Sequence, residues 1–180
     1  MKDVISLESA ALGGPAVIAI SAELRQLLAD VFALYVKTKG FHWHIGGRKF
    51  RDDHEMLDEH AAEIFAMTDA IAEHARKIGV TSLKSIGDIA RHQRLVDNTA
   101  DRLSPTEMLI ELHHDNRTLI EFLRAAHDLC DEHRDVASAS LIENWIDETE
   151  RRTWFLSETL RDRNHESQVS LSTAVARPPD

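Results

Sequence analysis

An apolar seam along residues 57–78 constrains the fold more than any other feature of this sequence. Its positions step by four and three residues in alternation, and they are Leu57, Ala61, Ile64, Thr68, Ile71, Ala75 and Ile78. Side chains with this spacing line one side of an α-helix and pack against neighbouring helices. The seam therefore predicts a long helix from about Phe50 to Gly79 that belongs to a helix bundle.

Three further segments show the same amphipathic periodicity. The first is predicted to begin at Ser21, a candidate N-cap, and to end near Ile45, ahead of a pair of glycines. Another follows the capping box Ser104–Glu107, in which a proline takes the first helical position, and continues to about Glu132. The last is predicted to cover Val136–Arg163.

A long connection, residues 80–103, separates the second and third long helices and contains a short helical candidate at Leu83–Ala90. Four long helices with one long crossover are typical of the ferritin-like, all-α bundle. We therefore predict one bundle domain over residues 21–163. The predicted N-terminal tail is 1–20 and the predicted C-terminal tail is 164–180.

Composition and length further narrow the class of protein that this sequence can form. A length of 180 residues suits one domain, and a single cysteine, Cys130, excludes an internal disulfide framework and favours a reducing compartment. No run approaches the ~18 apolar residues that a membrane span needs, and the first residues lack the layout of a secretory signal. We expect a cytoplasmic protein without a membrane partner. The chain carries 11 histidines and a net charge of −10, which makes metal binding worth testing.

One Glu-x-x-His pair occurs, at Glu111 and His114. An intra-bundle di-iron site of the usual ferritin type needs two such pairs. We therefore interpret this pair as part of a solvated helix face and expect no di-iron centre inside the bundle.

The second helix carries a more specific pattern. At ~100° per residue, four potential ligands fall on one stripe beside the apolar seam, namely His54, Asp58, Asp69 and Glu73. Asp58 and Asp69 are eleven residues apart, or about 16 Å along the axis, so one helix does not bring both to one ion. Small or apolar residues separate the two ends of the stripe: Ala62, Phe65 and Ala66.

Two interpretations of the stripe remain open. It is either a charged helix edge, or an isologous interface in which two antiparallel copies place each end beside the opposite end of the partner. His42 favours the second interpretation, because it ends the first helix and would lie near His54. Mixed nitrogen and oxygen ligands with open positions suit ferrous iron, with zinc or manganese as alternatives.

From Lys39 to Glu73 the sequence resembles the Dps proteins, mini-ferritins named for DNA protection in starved cells. The family motif is a His-Trp pair, a second His twelve residues after the first, then Asp, Asp and Glu at further steps of four, eleven and four. The matching residues are His42, Trp43, His54, Asp58, Asp69 and Glu73. The resemblance extends over residues 20–163, and it is strongest in 39–79.

This resemblance implies a hollow homododecamer that binds Fe(II), oxidises it, usually with hydrogen peroxide, and stores ferric mineral. It implies a ferroxidase of the bacterial cytoplasm or nucleoid that serves iron homeostasis and limits oxidative stress. Iron would be held by His42, His54 and Asp58 of one subunit and by Asp69 and Glu73 of its neighbour. Trp43 would either absorb stray oxidising equivalents or serve only in packing.

Other residues admit two interpretations each. An acidic row either nucleates mineral on the inner wall or is a solvated face, and its members are Glu55, Glu59 and Glu63. A second acidic group either lines a three-fold pore, as in the family, or is a charged turn: Asp128, Asp131 and Asp135. We interpret Cys130 as structural, and His44 and His60 as surface residues.

DNA binding is expected to be weak. Affinity for duplex DNA comes largely from neutralised phosphates, yet the first twenty residues contain one base, Lys2, and the chain is acidic. The rival functions are a nucleoid-associated DNA-binding protein with secondary iron oxidation, and a structural bundle with incidental histidines. The tails disfavour the first, and the spacing of the five ligands disfavours the second.

Overall fold

The computed structural model describes residues 12–175, with side chains described as far as residue 165. The described residues form five α-helices and no strand. They are α1 (Gly14–His44), α2 (Phe50–Lys77), α3 (Ile86–His92), α4 (Pro105–Glu132) and α5 (Val136–Val175). Within this part of the chain, no helix is both long and apolar enough to cross a membrane.

The long helices form two hairpins, α1 with α2 and α4 with α5, which are joined by the crossover that contains α3. The seam of α2 faces the core: Leu57, Ala61, Ile64 and Ile71 are fully buried. The all-α, ferritin-like bundle with one crossover is thus confirmed. So is the capping box, in which Ser104 and Glu107 bond reciprocally at the start of α4.

The outer ends of the first and last long helices were predicted wrongly. α1 begins at Gly14 rather than Ser21, with Pro15 in its first turn, where a missing N–H costs nothing. The Ser21 hydroxyl donates within α1 to the Ile18 carbonyl at 3.1 Å instead of capping the helix. α5 continues past Arg163 to Val175. The rest of the predicted tails, residues 1–11 and 176–180, lies outside the described residues.

An ion pair between Arg94 of the crossover and the buried Asp30 of α1 holds the crossover against α1. The fully buried Asp30 carboxylate accepts hydrogen bonds from the backbone N–H of Arg94 at 2.5 Å and of Leu95 at 3.2 Å. The Arg94 side chain donates to the same carboxylate at 2.8 Å, and its guanidinium lies 3.9 Å from the centre of the Phe122 ring. Because a buried carboxylate without partners is costly, these contacts hold the crossover against α1.

Candidate metal centre

The short turn between α1 and α2 brings the two predicted histidine ligands together. Gly47 takes a φ of 99°, a left-handed conformation that suits glycine, and the chain reverses between Ile45 and Lys49. His42, in the last turn of α1, then lies against His54, in the second turn of α2. Their rings stack with centroids 3.7 Å apart.

A reciprocal pair of hydrogen bonds orients both imidazoles. His42 Nδ1 donates to the backbone carbonyl of His54 at 2.9 Å, and His54 Nδ1 donates to the carbonyl of His42 at 2.9 Å. Since a carbonyl only accepts, each Nδ1 carries a proton, which leaves Nε2 as the ring nitrogen that is available to a metal. This is the arrangement in which a histidine is ready to ligate a metal.

Asp58 is the third predicted ligand that lies close to the two histidines. It follows His54 by one turn of α2, and its Oδ1 atom lies 3.9 Å from Nε2 of His42. The Lys39 ammonium forms an ion pair with the same carboxylate oxygen. The hydrogen bond from Lys39, together with nearby positive charge, lowers the pKa of Asp58 below its usual value. The carboxylate is therefore kept ionised.

Asp69 and Glu73 are not brought to the histidines within one chain. Both lie exposed further along α2, and the rise of a helix separates Asp58 from Asp69 by about 16 Å. Among the described residues, no three His, Cys, Asp or Glu side chains form a group that could enclose a metal ion. One chain therefore brings His42, His54 and Asp58 close together, a cluster that we call the candidate half-site, and it separately presents a pair of exposed acids.

The stretch between these two groups is apolar and exposed. Ala62, Phe65 and Ala66 all face solvent, and the Phe65 side chain is 51% exposed while its ring lies 4.9 Å from that of Tyr35. An exposed apolar surface flanked by charged groups is typical of a protein interface. Because its two ends differ in chemistry, a second copy rotated by 180° would place each end beside its complement.

The centre of the bundle holds a cation instead of a ligand set. Arg152 is fully buried and donates to Thr149 Oγ1 at 2.8 Å and to Asn116 Oδ1 at 3.3 Å. The Glu-x-x-His pair does not converge: Glu111 forms an ion pair with Lys37 at 2.8 Å, and His114 is exposed.

The prediction that His60 lies at the surface was wrong. Its side chain is only 5% exposed and packs edge-on against Phe155, with ring centroids 6.2 Å apart. Burial lowers the pKa of His60 to about 4, so it is a neutral core residue near neutral pH. The α2 face that carries His60 turns towards α5, whereas His44 is exposed as predicted.

The acidic row of α2 borders an open groove between α2 and α5. Two of its three carboxylates have arginine partners: Glu55 pairs with Arg51 at 2.9 Å, and Glu63 pairs with Arg151 at 2.7 Å. Mineral nucleation by Glu55, Glu59 and Glu63 remains a prediction.

The three members of the second acidic group lie in different environments. Asp128 and Asp131 are exposed at the end of α4, within 3.9 Å and 3.7 Å of His127 Nδ1. Asp135 is only 6% exposed, accepts from the Ser138 backbone N–H at 3.2 Å and also accepts from the Ser138 hydroxyl. It caps the start of α5, and the pore role of the acidic group stays a prediction. Cys130 beside it is buried, which raises the pKa of its thiol to about 12 and suits a structural role.

Sequence reasoning overlooked Lys39. The residue precedes His42 by three positions, and residues three apart are neighbours on a helix. That spacing was the available signal, but only the structure shows the ammonium on Asp58.

The capping role of Asp135 can be tested by replacing it with alanine. Asp135→Ala leaves the Ser138 N–H and hydroxyl without their acceptor, so we expect a loss of about 2 kcal/mol. Thermal melts at equal protein concentration should show a midpoint lower by about 5 °C. Asp131→Ala is the matched control and should change the midpoint by less than ~2 °C. Equal shifts for the two variants would contradict the assignment.

Comparison with known proteins identifies the family to which the fold belongs. The sequence model of the ferritin-like domain family matches residues 21–164. The chain is 34% identical over 134 residues to an uncharacterized low temperature-induced protein of Nostoc sp., an alignment that covers 74% of this chain and 75% of the relative.

It is also 31% identical over 144 residues to DNA protection during starvation protein 1 of Deinococcus radiodurans, which covers 79% of this chain and 69% of the relative. The fold matches the crystal structure of a Dps protein from Vibrio cholerae, described as a member of the ferritin-like diiron-carboxylate superfamily. That match has a TM-score of 0.81 at 21% identity and covers 88% of this chain and 99% of the other. The chain therefore belongs to the ferritin-like family and, within it, to the Dps proteins.

Proposed function

We propose that this protein oxidises Fe(II) with hydrogen peroxide at centres shared by two subunits, and stores the ferric product in a dodecameric cage. The observation that carries the proposal is the preorganised pair of imidazoles. Each Nδ1 is committed to a backbone carbonyl, and the acceptor atom Nε2 of His42 lies 3.9 Å from the Asp58 carboxylate. Neutral imidazole and carboxylate together are ligands that suit ferrous iron.

The partner subunit would complete each centre. In an isologous pair of α2 helices, the exposed apolar stretch meets its own copy, and the acids of one chain reach the half-site of the other. Asp69 and Glu73 would then supply two more carboxylates to His42, His54 and Asp58. Zinc and manganese accept the same ligands and are expected to compete with iron.

The carboxylates of the proposed centre would favour iron oxidation through their negative charge. Carboxylates stabilise the ferric product more than the ferrous substrate, because the oxidised ion carries the larger positive charge. One peroxide takes one electron from each of two ferrous ions and two protons, and it becomes two waters. No hydroxyl radical is released on that route, which would limit oxidative damage in a bacterial cytoplasm. Trp43, which adjoins His42 and is exposed, could take up stray oxidising equivalents.

Storage would use the cage interior. The groove between α2 and α5 carries the acidic row Glu55, Glu59 and Glu63, which would offer oxygen ligands to ferric ions if this face lines the cavity. Asp128 and Asp131 remain the exposed acids available to an entry pore, where negative charge would raise the local concentration of Fe(II).

The first test is anaerobic addition of Fe(II) and then hydrogen peroxide, followed by ferric absorbance. The double variant Asp58→Ala, Glu73→Ala should oxidise iron more than about tenfold slower, because each centre loses two carboxylate ligands. The control, Asp101→Ala, Glu121→Ala, removes an exposed Asp and Glu outside the stripe and should keep the wild-type rate. Equal rates for wild type and the first variant would refute the assignment of the centre.

Sharing between subunits is tested by mixing two inactive variants. His42→Ala damages one half of the centre and Glu73→Ala the other, so either variant alone has no intact centre. After joint unfolding and reassembly, half of the two-fold pairs are mixed, and each mixed pair contains one intact centre out of two. We expect about a quarter of the wild-type rate to return. If each centre lies within one chain, the mixture stays inactive.

Direct DNA binding is the second candidate function, since the name of the Deinococcus relative refers to DNA protection. The net charge of −10 per chain opposes it, because a polyanion repels phosphates. We expect no retarded band in a gel-shift assay with linear duplex DNA at low salt near neutral pH. Tight complexes there would overturn this expectation and favour a nucleoid-associated role.

A further inference from the structure

A chain of buried hydrogen bonds joins the last turn of α2 to the start of α5. The Nε2 atom of His74 donates to Ser138 Oγ at 2.7 Å, and the Ser138 hydroxyl donates to the Asp135 carboxylate. Because the single proton of the hydroxyl is committed to Asp135, Ser138 Oγ is the acceptor for His74. None of the three residues is more than 7% exposed, so water competes little with these bonds.

Asp135 anchors this chain of hydrogen bonds. Its carboxylate accepts from the Ser138 backbone N–H at 3.2 Å, and its own N–H donates to the Cys130 carbonyl at the end of α4 at 2.8 Å. Asp135 therefore contacts the end of α4 and the start of α5, and it holds Ser138 in the first turn of α5. The bond from His74 attaches α2 to that place.

The last turn of α2 is closed by its own hydrogen bond, so it rotates as one unit. Gly79 has a φ of 103°, and the Val80 N–H donates back to the Ala75 carbonyl at 3.2 Å. This is the helix-ending bond of a Schellman motif. Because successive residues differ by ~100° around a helix, the direction of His74 also fixes the direction of Glu73.

Glu73 depends on this attachment for its direction. Its carboxylate is exposed, and within the part of the chain whose side chains are described it has no hydrogen-bond or ion-pair partner. A side-chain oxygen lies about 6 Å from the helix axis, so a rotation of α2 by ~10° moves it by about 1 Å. A displacement of about that size is enough to impair catalysis severely.

The two ends of the ligand stripe are held in different ways. His54 exchanges hydrogen bonds with His42 at one end, and His74 is bonded to Ser138 at the other. We propose that His74 is a positioning residue of the metal centre, which fixes the rotation of α2 and directs Glu73 towards the half-site of the partner subunit. This inference rests on the proposed function, because it assumes that Glu73 completes the centre of a second subunit.

The test removes the hydrogen bond and keeps the bulk of the side chain. His74→Leu has no donor, whereas His74→Gln offers an amide N–H in its place. In the assembled protein, His74→Leu should oxidise Fe(II) with peroxide about tenfold slower. In a calorimetric titration it should bind Zn²⁺, a redox-inert ion, about tenfold more weakly. His74→Gln should keep both properties within about twofold of wild type.

His113→Leu is the matched control. His113 Nε2 and Ser157 Oγ share a hydrogen bond of 2.9 Å, so this variant also loses a bond between a histidine and a serine. That bond joins α4 to α5 and leaves α2 untouched. The oxidation rate and the zinc affinity of His113→Leu should equal those of wild type. Circular dichroism and native mass should show that every variant folds and assembles.

Mixing experiments distinguish positioning from a general structural defect. If His74 acts through Glu73, His74→Leu damages the half of the centre that one subunit supplies to its neighbour. Joint unfolding and reassembly with His42→Ala should then restore about a quarter of the wild-type rate. Reassembly with Glu73→Ala should give only ~5% of that rate, because every centre then contains a damaged acid half.

The outcomes separate this inference from the proposed function. A wild-type rate and zinc affinity in His74→Leu, an equal loss in His74→Gln, or the same loss in His113→Leu would overturn the role of His74 and leave the centre intact. So would a mixture of His74→Leu that recovers with Glu73→Ala or fails to recover with His42→Ala. If His42→Ala and Glu73→Ala do not restore each other, the shared centre is refuted, and the positioning role with it.

Discussion

The candidate centre depends on the two hydrogen bonds that His42 and His54 exchange across the α1–α2 turn. They join side chain to backbone in both directions, so each helix end fixes the ring of the other at 2.9 Å. The same bonds set the position of the ring proton and stack the imidazoles at 3.7 Å. The same two hydrogen bonds thus join the ends of α1 and α2 and preorganise the two candidate ligand atoms. The surrounding bundle serves to hold these two helix ends in place.

The charge of the bundle interior disfavours a metal centre at that place. Arg152 is fully buried among α2, α4 and α5, bonded to Thr149 and Asn116. Its burial lowers its pKa to about 10, which still leaves the guanidinium charged near neutral pH. A fixed positive charge at the centre opposes the binding of ferrous ions there. The exposed stripe of α2 has the opposite character, with carboxylates at both ends and no buried cation between them.

Much of the bundle could be predicted from periodicity and capping, because both are local properties of the sequence. The ends of α2, and α4 with its capping box, agree with the structure to within a few residues. The first turns of α1 were missed because Pro15 after two glycines suggests a break, although proline is favoured in a first helical turn.

The approach of His54 to His42 could be predicted from the sequence, because a hairpin of α1 and α2 places both residues near the turn. The burial of His60 and the contact of Lys39 with Asp58 could not, because both depend on how a helix is rotated against its neighbours. The contribution of Asp69 and Glu73 lies between subunits and stays a prediction.

The charge of the half-site links metal binding to assembly. Within one chain, the Lys39 ammonium balances the Asp58 carboxylate, so the half-site has no excess negative charge to attract a divalent ion. The proposed partner acids change this balance to −2, and at an effective dielectric constant of about 20 each unit charge 4 Å away contributes about 4 kcal/mol before desolvation. A free subunit would then bind iron weakly, and an assembled pair would bind it well. Oxidation would therefore be confined to the cage, where the ferric product can be stored.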